Sequence, residues 1–167
     1  MEWHDPPADL TLSNPLWDTA LSLWNRPDFA PSCLQAQAGG IVVSHILVAL
    51  YSASDGFLWD GGEPGVIRHF RCHATEPLRS LRQLLPRDQP ATTALREQLK
   101  SSELASERLE LAWWWHVLGT GSAWTRREDL SPYERSRHNL GSIGFGGDQF
   151  AVRDRILAAW NQTPGEH

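Results

Sequence analysis

Residues 91–118 read ATTALREQLKSSELASERLELAWWWHVL. No glycine or proline interrupts them, so they predict one helix from Ala91 to Leu118. At about 1.5 Å per residue that is a rod of roughly 40 Å. Gly119 and Gly121 mark its end. Leu95, Leu99, Leu104, Leu109 and Leu111 are assigned to its dry side, with the tryptophans that follow. Arg96, Glu97, Lys100, Glu103, Glu107 and Glu110 are assigned mostly to its wet side. Neighbouring helical residues point about 100° apart, so Trp113, Trp114 and Trp115 cannot all face one way. Residues 123–160 are the expected cover for the odd one out, and a contact with another protein is the alternative.

Shorter helices precede this rod. Asn14-Pro15 reads as an N-cap and first-turn proline, followed by Leu16, Trp17, Ala20, Leu21 and Trp24 at helical spacing. A second helix fits APSCLQAQA, ending at Gly39-Gly40. Residues 41–53, IVVSHILVALYSA, are apolar all round, and their length favours a buried helix over a buried strand. Residues 54–65 read as a loop. Pro64 opens another helix, which Pro77 is expected to kink or split. Residues 86–90, PRDQP, form a turn that returns the chain antiparallel.

After the rod, Ser131-Pro132-Tyr133-Glu134 has the form of a capping box. Residues 140–148, LGSIGFGGD, read as a glycine-rich loop. Asp148 is the expected cap of a last helix with Phe150, Ile156, Leu157 and Trp160 facing inward. The expectation is an all-α, single-domain helical bundle over residues 14–162, with a flexible arm at 1–13. Within it, 14–118 form the core and 119–162 a C-terminal extension.

The formal net charge of −5 argues against a nucleic-acid binder. No apolar run is long enough to span a bilayer. Residues 1–15 carry neither the basic nor the apolar part of a signal peptide. Cys33 and Cys72 form no zinc spacing or disulfide framework, which fits a reduced, cytoplasmic protein.

Several segments, in order, resemble a known family. In NPLWDTALSLWNRPDFAPSCLQAQAGGIVVSHILVALYS, the shared positions are Leu16, Trp17, Ala20, Leu21, Pro27, Cys33, Leu34, Gln37 and Gly40. Pro77-Leu78-Arg79-Ser80-Leu81-Arg82 follows the pattern PLRxLR. Leu95-Arg96, Lys100, Glu103, Leu104, Glu107 and Arg108 follow LRxxxKxxELxAER. The series is similar to the uncharacterised proteobacterial family of small proteins called DUF2390, over roughly residues 14–112. Trp24 stands where relatives have tyrosine, Asp28-Phe29 where they have Gly-Val, and Val42-Val43-Ser44 where they have Asp-Val-Asn. The resemblance implies an α-helical cytoplasmic protein and supplies no activity.

The residues themselves offer one main site. Arg79 and Arg82 share a helical face, as do Glu103 and Glu107, and the turn between brings the pairs together. Guanidinium forks and carboxylates then pair two by two. The structural reading fixes helix register; its rival is an anion or partner site at Arg79, Arg82, Glu103, Glu107, Arg108, Trp113 and Trp114. His69, His73, Glu103 and Glu107 form a weaker, metal-binding alternative. Cys33 beside a histidine such as His45 could be a thiol nucleophile, but a cysteine in an apolar helix reads first as core. No nucleophile set, metal cluster or cofactor fingerprint stands out, and no cofactor is expected. The reading favoured is a non-catalytic protein that binds a protein partner or itself, with a small ligand in a Trp-lined pocket as the alternative.

Overall fold

Most of the chain is helical in a computed structural model, which describes residues 4–162. Residues 1–3 of the expected arm lie outside the described residues. The helices are α1 (Pro15–Trp24), α2 (Phe29–Ala38), α3 (Val43–Ser54), α4 (Gly65–Phe70), α5 (Glu76–Leu84), α6 (Pro90–Val117), α7 (Pro132–Ser142) and α8 (Phe150–Asn161). A π-helical turn, Arg71–Thr75, joins α4 to α5. Two strands, β1 (Phe57–Trp59) and β2 (Trp124–Arg126), pair antiparallel with Leu58 opposite Thr125. The all-α expectation holds; β1 lies in the 54–65 stretch read as loop, and β2 lies between the end of α6 and the Ser131 cap, where no element is expected. By their contacts the described residues form two compact units, one of residues 4–13 and 63–116, the other of 14–62 and 117–162.

The second unit has the larger apolar core. Leu16, Leu23, Phe29, Cys33, Ile46, Val48, Leu50, Leu140 and Ile156 are all buried in it. Its centre is α3, whose residues 46–50 are buried without a break, as the all-round apolar pattern requires. Asn139 of α7 is fully buried beside it. Its Oδ1 accepts the Trp59 backbone N–H at 2.8 Å, and its Nδ2 donates to the carbonyls of Ala49 and Phe57. One side chain thereby ties α3, α7 and β1 together. Trp59 stacks on Trp124 across the strand pair, with centroids 5.4 Å apart. Ser131 caps α7 with the full reciprocal box to Glu134.

Three departures have local causes. Gly141 and Ser142 extend α7 rather than joining the glycine loop, and Asp148 sits in a 3₁₀ turn, so α8 starts without the expected aspartate cap. Phe150 is exposed, not inward, with the Arg153 guanidinium over its ring at 5.0 Å. Asp28 has φ +64°, and it occupies the place of a glycine in the family pattern. Glycine adopts that left-handed conformation freely, and aspartate tolerates it better than most residues.

The N-terminus of α3 shows the effect of another departure. Its N-cap is Val42, in extended geometry and with no side-chain cap bond. An aspartate, as in the family pattern, would accept one of the orphan N–H groups and add charge at the positive end of the helix. Val42→Asp is therefore expected to stabilise the protein by about 1 kcal/mol. Urea unfolding measures it; an unchanged or lowered midpoint would show that Val42 serves by packing instead.

Candidate functional site

The first unit holds a helical hairpin. The chain climbs α4, passes the π turn, continues along α5 and returns down α6. Pro77 explains the π turn: it has no N–H to give and its ring crowds the carbonyl four residues back, at His73. The chain answers by widening the turn just before it, with the Glu76 N–H reaching the Arg71 carbonyl. The expected split at Pro77 is thus a register change within a continuous rod.

Polar pairs fill the seam between the two rods. Toward the turn, Arg79 Nε donates to Glu103 Oε1 at 2.9 Å and Nη2 to Glu107 Oε1 at 2.7 Å. Arg82 Nε donates to Glu103 Oε2 at 2.6 Å and Nη2 to Oε1 at 3.3 Å. One level down, Thr75 and Ser106 share a hydrogen bond of 2.7 Å. Deeper still, the Arg71 guanidinium takes Glu63 in a two-pronged pair and lies 3.6 Å from Glu110. Nearest the turn, Arg96 Nη1 donates to the carbonyls of Arg82 and Leu85 and so caps α5. Residue numbers fall on one rod as they rise on the other, so the rods are antiparallel.

The predicted pairing of Arg79 and Arg82 with Glu103 and Glu107 is therefore present. The wet and dry sides assigned to α6 need correction. Glu103 and Glu110 are 6% and 2% exposed, whereas Leu95 and Leu104 are 48% and 53% exposed. The arginines cause the inversion, because they give the glutamates buried partners that leucine cannot use. Arg71, Glu63, Thr75 and Ser106 were not singled out from the sequence. A signal was available: Glu103, Ser106, Glu107 and Glu110 stand at i, i+3, i+4 and i+7, the spacing of a packed face.

The other candidates separate from the pair cluster. Arg108 turns to the arm, with Nε on the Leu12 carbonyl at 3.1 Å and Nη2 on Ser13 Oγ at 2.8 Å. Trp113 and Trp114 are buried, Trp113 tilted against Phe70 at 6.1 Å, and Trp115 is half-buried. His69 and His73 stack on one another at 4.2 Å, while Glu103 and Glu107 are engaged by arginine. Among the described residues, no group of three or more His, Cys, Asp or Glu is placed to hold a metal. Cys33 is fully buried, and burial pushes its thiol up to about 12, which removes the thiolate a nucleophile needs. Two shallow grooves lie in the second unit, one by Asp55, Arg126 and Arg135 and one by Tyr133 and Asp154; none of the seven candidate residues lines either.

The fold and the seam define a helical protein organised around buried arginine–glutamate pairs. The chain belongs to the DUF2390 family of proteins of unknown function, which it matches over residues 15–113. Neither a curated protein nor a solved structure matches it. No described helix is long and apolar enough to cross a membrane.

Burial opposes the charge on Glu103, but the bonds from Arg82 and Arg79 outweigh it and hold the carboxyl below its usual value. A carboxyl depressed by folding stabilises the fold above its unfolded pKa, about 4.3 for glutamate, and the contribution fades as pH falls through the folded value. Wild type is therefore expected to exceed Glu103→Gln in stability at neutral pH, with the gap closing below about pH 4. Urea titrations across that range test this; a gap that stays constant down to acid pH would contradict it.

Proposed function

We propose that the protein is a non-catalytic, cytoplasmic bacterial binding protein that acts through a protein partner docked on the α5–α6 hairpin. The observation that carries this reading is a leucine face the fold leaves bare. Counting round each helix from the seam at about 100° per residue, Leu78 and Leu81 fall on one flank of α5. Leu95 and Leu99 fall on the flank of α6 that antiparallel packing brings beside them. Leu81 is 52% exposed and Leu95 48%, and Leu78 and Leu99 are half-buried.

Ordinary hairpins turn such leucines into their own seam. Here the seam is occupied by ion pairs, and α5 buries no residue at all. Clustered exposed leucines on a rigid support are the usual mark of a protein interface. The cytoplasmic placement is supported by two cysteines that remain free. The rival reading, an anion held by Arg79 and Arg82, is weakened because both forks are already engaged by Glu103 and Glu107.

The test is co-purification from the native host with mass spectrometry. Tagged wild type is compared with the double variant Leu81→Glu/Leu95→Glu, and an untagged copy of the chain is expressed alongside. At least one protein, that copy included, should be retained about tenfold or more better by wild type, equivalent to ~1.4 kcal/mol. Equal retention by the two would reject the hairpin as the docking face.

A further inference from the structure

We propose that the occupant of the leucine face is a second copy of this chain, so that two α5–α6 hairpins close into a four-helix bundle. This rests on the reading of the hairpin as a docking site and identifies its partner. Two features point to a copy rather than to a different protein: the symmetry of the face and its charge.

The leucines form two antiparallel rows, Leu78 and Leu81 on α5 and Leu99 and Leu95 on α6. A two-fold axis through such a face lays one copy's rows over the other's, leucine against leucine. An interface between identical chains needs this kind of self-complementary patch. Two antiparallel hairpins stacked by their apolar flanks make the ordinary four-helix arrangement. The leucines cannot be buried inside their own hairpin, because Arg79, Arg82, Arg96 and Glu103 fill the seam they would enter.

The charge distribution permits the encounter. Each chain carries a net −5, so a copy placed at random meets like charge. Between residues 78 and 99, no ionisable side chain of either helix falls on the leucine flank. Arg79, Arg82 and Arg96 point into the seam, and Glu97 falls on the opposite flank by the same count of about 100° per residue. The rim beside the leucines is Gln98 and Ser102, both exposed and neutral. A face that selects a charged partner places opposite charges round its rim, and a face that meets its own copy must avoid like charges. This one satisfies the second condition.

Sedimentation velocity of the full chain over a range of concentrations tests the proposal. Wild type should sediment at twice the 18.8 kDa of one chain and dissociate on dilution. Leu81→Glu/Leu95→Glu should retain wild-type helicity and weaken the dimer by about a hundredfold or more, since it buries two charges in place of two leucines. Ser102→Glu keeps every leucine and adds like charge at the rim, and it should weaken the dimer several-fold even if the double variant proves unstable. A wild type that stays at 18.8 kDa throughout overturns the proposal, as does a dimer that both variants leave unchanged. If the wild type is monomeric but still retains a host protein that the double variant loses, the copy is excluded while the hairpin survives as a docking face.

Discussion

Desolvated charge governs the first unit. Glu103 and Glu110 are almost fully withdrawn from water, and an unpaired carboxylate there would cost several kcal/mol. Each has a guanidinium within reach only when the α5 rod lies at one height and one rotation against α6. Leucine packing tolerates sliding; a forked pair such as Arg82 on Glu103 does not. The ion pairs therefore specify the register of the hairpin more than they add to its stability. That division of labour is known for buried polar groups in helical assemblies.

The π turn belongs to the same constraint. Pro77 prevents a regular helix through residues 71–76, and the widened turn places Arg71 between Glu63 and Glu110. Burial works against the charge on Arg71, and the carboxylates outweigh it and raise its pKa above the ordinary arginine value. Two tiers of guanidinium thus brace the rods, joined by the bond between Thr75 and Ser106. With the seam committed to polar groups, the leucines of both helices are displaced to a flank. The bare apolar face follows from how the register is set.

Much of this was legible in the sequence. The rod of α6 needed only the absence of breakers. The caps at Asn14 and Ser131 were written in their own residues, and both form as expected. The facing of Arg79 and Arg82 toward Glu103 and Glu107 followed from helical spacing and a short turn. What failed had a common source: hydropathy assigned Glu103 and Glu110 to water and Leu95 and Leu104 to the core. Hydropathy scores a residue alone, whereas burial of a glutamate depends on an arginine 21 or more positions away. The strand pair was hidden for a similar reason, since three residues opposite three are too few for an alternating pattern. The π turn has no hydropathy signature; only Pro77 hinted at it.

A double-mutant cycle on Arg82 and Glu103 bears most directly on the register claim. Arg82→Ala, Glu103→Ala and the double variant are compared with wild type by urea unfolding at neutral pH. If the pair sets the hairpin, the two substitutions are strongly coupled, by about 1–3 kcal/mol, and the second costs little once the first is made. Additive losses, within about 0.5 kcal/mol, would mean that the helices find their register without this pair.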